Sequence, residues 1–132
     1  MSEFLTKDAI FSKHDIIAES VDVPEWGGKV RVKALTGRER DEYEAALIDQ
    51  KGKKTTVNMT NARARMAMMA VVDEQGQRLF AESDIPMLST KSAAALDRIF
   101  DVARRLAGLT DQDVEELEGN SAGTTSADSP SV

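Results

Sequence analysis

Val21-Asp22-Val23-Pro24-Glu25-Trp26-Gly27-Gly28-Lys29-Val30-Arg31-Val32 is the stretch whose reading decides the fold. Ile17, Val21 and Val23 precede the Trp-Gly-Gly centre, Val30, Val32 and Ala34 follow it, and both sets recur with a spacing of two. That period places the apolar side chains on one face of each of two strands. Gly27 and Gly28 tolerate the positive φ that a tight hairpin demands, so 16–24 and 29–35 are predicted to pair antiparallel. Pro24 has no amide to donate, which sends it to a strand end or an outward-facing edge position.

Downstream, Thr36-Gly37-Arg38-Glu39 has the Thr-x-x-Glu form of a capping box and predicts a helix whose buried stripe is Tyr43, Ala46 and Leu47, fraying near Asp49. The polar, glycine-containing run Gln50-Lys51-Gly52-Lys53-Lys54-Thr55-Thr56 reads as an exposed loop. A second helix is expected from about Asn58 to Val72, with Met59, Ala62, Met66 and Met69 on one stripe, widened by Ala64, Met68 and Val71. Asp73-Glu74-Gln75-Gly76-Gln77 predicts a turn that returns Leu79 and Phe80 against Val71 and Val72, and Ser83-Asp84-Ile85-Pro86 reads as a connector.

The strongest amphipathic pattern runs from Thr90 to Leu106. Leu96, Ile99, Phe100, Ala103 and Leu106 fall on one face, with Asp97, Asp101, Arg104 and Arg105 opposite and Asp101 placed to pair with Arg105. Gly108 reads as a helix stop, and Thr110-Asp111-Gln112-Asp113 as the cap of a last short helix through Leu117. Upstream of the hairpin, Leu5 to Phe11 carries a weak helical pattern capped by Thr6, read as a short helix or docking arm.

The fold class expected is therefore α+β: an N-terminal antiparallel β-hairpin packed with three to four helices, mainly helical. The domain is expected over 1–118. Residues 119–132 are Gly, Ser, Thr, Ala, Asn, Asp and Pro up to a terminal Val, too poor in apolar surface to offset ordering entropy, and are expected to be disordered.

Composition narrows the function. A chain of 132 residues has room for one ordinary domain, and 41% hydrophobic with 30% charged residues describes a soluble globular protein. Seventeen Lys and Arg against twenty-three Asp and Glu give a net charge of -6, the wrong sign for binding nucleic acid or an anionic membrane. With no cysteine, disulfides, thiolate catalysis and Cys-ligated metal sites are excluded. No secretory or membrane-spanning stretch is expected, and a reducing cytoplasm suits the chain.

Candidate chemistry is equally thin. His14 is the only histidine, so a zinc site of the usual kind is not expected, and Ser12, His14 and Asp15 are too close in sequence to converge as a triad. Glu42 and Glu44, and Glu115, Glu116 and Glu118, read as solvated helix faces, while Gly27-Gly28 lacks the glycine pattern of a nucleotide loop. Arg63, Arg65, Arg104, Arg105 and the Lys51-Gly52-Lys53-Lys54 run make the best case for nucleic acid, but no aromatic residues interleave them. No catalytic, cofactor-binding or metal residue is assigned.

Protein contact has better support. Trp26 at a hairpin tip is either folded onto the core or offered to a partner. Met59, Met66, Met68 and Met69 make either core packing or an adaptable binding face, and a helix apolar around so much of its circumference is central or has a partner.

The order of these pieces resembles a known family. The Val-Pro-Glu-Trp-Gly-Gly block with Leu35-Thr36-Gly37-Arg38-Glu39-Arg40-Asp41, then 71–80, Lys91-Ser92-Ala93-Ala94-Ala95-Leu96 and Gly108-Leu109-Thr110 before the acidic 114–118, is similar to the tail assembly chaperones of long-tailed bacteriophages. The resemblance implies a non-catalytic protein of the host bacterial cytoplasm that keeps the tape-measure protein soluble, helps the major tail protein polymerise around it and is absent from the finished tail. It also implies a longer form made by translational frameshift, and self-association is a further expectation. A small structural tail or head-completion protein retained in the virion is the alternative. The partner-binding residues Trp26, Met59, Met66, Met68 and Met69 come from the residues themselves, since the resemblance assigns none.

Overall fold

The computed structural model describes residues 3–108. The expected helix over 110–117 and the disordered segment 119–132 lie outside the described residues.

The predicted hairpin forms as β1 (Ala18–Val23) and β2 (Gly28–Lys33), antiparallel, with Val21 opposite Val30 and Glu19 opposite Val32. Val21, Val23 and Val32 are buried, as the period of two requires. The turn differs in detail from the two-glycine turn expected. Pro24-Glu25-Trp26 makes a single 3-10 turn, and Gly27 closes it at φ 77°, a left-handed conformation that other residues enter at a cost. Gly28 is already part of the strand.

An arm precedes the hairpin. Its helix α1 (Lys7–Phe11) is capped by Thr6 as predicted and has no buried residue. After β2, the Thr36–Glu39 capping box forms reciprocally, with Glu39 N donating to Thr36 Oγ1 at 3.1 Å and Thr36 N donating to Glu39 Oε1 at 2.9 Å. It opens α2 (Gly37–Ala46), which buries Tyr43 and, just beyond its end, Leu47, whereas Ala46 is exposed rather than part of the stripe. The Tyr43 hydroxyl donates to the Ala62 carbonyl at 3.3 Å, and burial pushes its pKa up to about 12 against the pull of Arg63 and Arg65.

The segment read as a loop is instead a second hairpin, β3 (Ile48–Lys51) and β4 (Lys54–Val57), turning at Gly52 with φ 61°. Its base is closed by Asn58 N donating to the Leu47 carbonyl at 2.6 Å. The ribbon carries no alternating apolar pattern, so hydrophobic periodicity cannot detect it.

Helix α3 (Ala62–Ala70) begins four residues later than expected. Asn58 bonds locally, accepting from Thr60 N at 2.9 Å and donating to Asp49 at 3.1 Å, and Asn61 sits at φ 64°, so both hold the chain outside the helix. The helix ends where Val71 and Val72 become β5, the third strand of an antiparallel sheet in the order β1-β2-β5. The expected return reaches β5 only through the Val72–Arg78 bridge and Leu79 N donating to the Val71 carbonyl at 3.2 Å.

A 3-10 turn at Glu82–Asp84 and the short helix α4 (Ile85–Leu88) occupy the connector, and Pro86 suits the first turn of α4. Helix α5 (Ala93–Leu106), capped by Ser92, buries Ala95, Leu96, Ile99, Phe100 and Ala103. It packs against α3 and across β1 and β2, so the core lies between the hairpin, α3 and α5. Arg105 does not pair with Asp101 as predicted. It makes a two-bond ion pair with Glu19 of β1 at 2.9 and 3.0 Å, and Arg104 takes Asp101 at 3.4 Å. The class is α+β with an antiparallel hairpin, as read from the sequence.

Candidate functional site

The turn between β1 and β2 is fixed from α5. Arg98 donates to both carboxylate oxygens of Glu25, at 2.8 and 2.6 Å, and to the Asp22 carbonyl at 3.5 Å. The guanidinium bonds hold the Glu25 carboxyl at about 2, well below the ordinary carboxylate value. Trp26, next in sequence, is thereby set at one wall of an open groove. The opposite wall comes from Phe80, the following 3-10 turn and α4. Asp84 accepts from Ala81 N at 2.8 Å, Arg65 ties Glu82 at 3.0 Å, and the chain turns so that Met87 stands out while Leu88 is buried.

Trp26, Phe80, Met87 and Leu88 line this groove of about 470 Å³, with Asp84 and Lys91 as its charged members. Met87 is 69% exposed. The arrangement is that of a receptor for an apolar segment: greasy walls, an aromatic anchor, and one charge of each sign to orient the ligand.

Of the residues singled out in the sequence, Trp26 lies in the groove and is half-buried. Met66, Met68 and Met69 do not join it; they are 0%, 3% and 3% exposed and pack the core, with Met68 Sδ 3.7 Å from Arg78. Met59 is half-buried against that core and borders a separate, more polar depression with Asn61, Arg63 and Ser89. Phe80, Met87 and Leu88 are the groove residues that sequence reading missed. The signal was present in Ile85-Pro86-Met87-Leu88, where a proline in a first helical turn is followed by two large apolar residues.

The arginines considered for nucleic acid are engaged elsewhere: Arg63 with Asp97 and over the Phe100 ring at 5.3 Å, Arg65 with Glu82, Arg105 with Glu19. Among the described residues no cluster of three or more His, Asp or Glu could hold a metal, and no helix is long and apolar enough to cross a membrane.

Comparison with known proteins gives a consistent answer. The solved structure of the bacteriophage HK97 tail assembly chaperone is similar at TM-score 0.52 and 15% sequence identity, over 80% of this chain and 92% of that one. At that identity the likeness speaks for the fold. No curated protein matches the sequence. A family model described as phage tail assembly chaperone matches residues 6–120, nearly the whole chain up to the acidic end, and the chain therefore belongs to the phage tail assembly chaperone family.

Proposed function

We propose that the chain keeps the tape-measure protein soluble by receiving an amphipathic helix of it in the groove lined by Trp26, Phe80, Met87 and Leu88. The observation that carries this reading is the groove itself: about 470 Å³ of apolar space held open by ion pairs at the surface. A long helix that exposes an apolar stripe needs such a surface until it is enclosed, and anchors spaced three to four residues apart suit it. On this reading the chain acts by reversible binding without catalysis, in the host bacterial cytoplasm, and the major tail protein replaces it as the tube polymerises.

Self-association belongs to the same proposal. Leu5, Ile10 and Phe11 of the arm are exposed by 70%, 51% and 79%, an apolar surface suited to a second copy. The frameshift expectation is tested by the nucleotides encoding residues from Thr110 onward, where a slippery run into an overlapping frame is expected.

Met87→Asp tests the groove. Because Met87 is exposed, the substitution is expected to change stability by no more than about 0.5 kcal/mol. Burying a carboxylate under an apolar helix is expected to weaken tape-measure binding by about tenfold or more. Co-expression followed by soluble-fraction assay and calorimetry reads both. A folded Met87→Asp variant that binds with undiminished affinity overturns the groove assignment, and stoichiometric recovery of the chain from purified virions overturns the chaperone role in favour of a retained structural protein.

A further inference from the structure

The charge of the chain is distributed unevenly. Asp111, Asp113, Glu115, Glu116, Glu118 and Asp128 follow Gly108 with no Lys or Arg among them, and these six acids account for the whole net charge of -6. Everything up to Gly108 is neutral. Within that neutral body the β3–β4 ribbon stands out, since Lys51, Lys53 and Lys54 cluster around its Gly52 turn. Lys53 and Lys54 are exposed, as are Thr55 and Thr56, and neither lysine takes part in an ion pair described in the structure. At the foot of the ribbon Ile48 is 39% exposed, so the surface offers an apolar point at one end and the two exposed lysines at the other.

The described residues end beside the helix that leads into the ribbon. Arg40 of α2 donates to the Ala107 carbonyl at 3.4 Å, so the end of α5 lies beside the first turn of the helix from which the ribbon extends. From Arg40 to Leu47 is about 10 Å along α2, and a four-residue strand adds about 14 Å. Ten residues reach about 33 Å when extended, more than these two lengths together. Residues 109–118 also carry the complementary pattern, with Leu109 first, Val114 and Leu117 further on, and acids between them.

We propose that the β3–β4 ribbon is the binding surface for the acidic segment 109–118 of the same chain, taken up in extended form rather than as the helix expected from the sequence, with Lys53 and Lys54 facing its carboxylates and Ile48 its apolar residues. A tether this short supplies an effective concentration in the millimolar range, so contacts too weak to hold a free peptide still hold the attached one. The docking is electrostatic in reach and is lost as salt shortens the screening length from about 10 Å at 0.1 M to about 3 Å at 1 M. This inference does not depend on the groove or on what the groove receives.

The absence of cysteine makes the test direct, because a Gly119→Cys variant of the full chain takes a single nitroxide label. The label is expected to broaden the amide signals of 52–55 at least about threefold more than those around Met87 at low salt. Reducing the nitroxide, raising salt to about 1 M, or adding Lys53→Glu with Lys54→Glu each removes the difference. Equal broadening at the ribbon and at Met87, or ribbon broadening that survives the two charge reversals, overturns the proposal. So does broadening that passes in full from a labelled chain to a separately isotope-enriched one, which assigns the contact to a second copy.

Discussion

Glu39 gathers more of the fold than any other single side chain described. It accepts from Lys33 Nζ, from the Thr36 amide at 2.9 Å and from Arg78 at 2.9 Å, joining the end of β2, the start of α2 and the turn after β5. Partial burial pushes its pKa up, but the three donors outweigh that and hold it at about 2. A carboxyl whose folded pKa lies below its unfolded value stabilises the fold fully above the unfolded value and loses that contribution as pH falls through the folded one. The window runs here from about 4.5 down to about 2, and Glu25 titrates over the same range. Urea midpoints measured at about pH 7 and about pH 3 are expected to fall in the native chain. Glu39→Gln is expected to cost about 1–3 kcal/mol at neutral pH and to flatten that fall. A native midpoint that does not move with pH would show that these ion pairs contribute nothing to stability.

At the scale of elements, α5 acts on the hairpin through Arg98 and Arg105, which take Glu25 near one end of β1 and Glu19 near the other. Arg98→Ala is expected to free the 3-10 turn. Trp26 emission should shift to longer wavelength and groove binding should weaken severalfold, with little change in melting temperature because both partners are solvent-exposed. Unchanged emission would mean that packing alone sets Trp26. The elements also show what the sequence disclosed. The β1–β2 hairpin, the capping box and α5 were legible because each repeats one period over enough residues or carries a reciprocal side-chain signal. The β3–β4 ribbon was hidden because Asp49, Gln50, Lys51, Lys54, Thr55 and Thr56 have no apolar face to alternate, and only a turn glycine marks it. The groove was half legible. Trp26 announced itself beside two glycines, whereas Phe80, Met87 and Leu88 sit in short turns where no period develops. The methionines could be read two ways for a physical reason: the same side chain fills core gaps and adapts to partners, and only neighbours decide between the two. With α5 and the sheet around them, Met66→Asp reports on folding before it can report on binding.

For the molecule as a whole, the arm is the part least bound to the rest, since α1 contributes nothing to the core. If it joins copies, sedimentation velocity of the native chain should show mass rising with concentration, and a Leu5→Ser, Phe11→Ser double variant should remain a monomer with an unchanged melting temperature. A native chain that stays monomeric at all accessible concentrations excludes this role for the arm. The order in which the core is completed has its own consequence. Helix α3, with Met66, Met68 and Met69, is covered by α5, which comes more than twenty residues later and is the last described element. During synthesis from the N-terminus, at about 5–20 residues per second, the hairpins and α3 emerge while the helix that shields them is still unmade. A member of a chaperone family thus passes through a stage, while the ribosome is still translating it, in which its own methionine helix lies bare and every premature stop before α5 leaves it so.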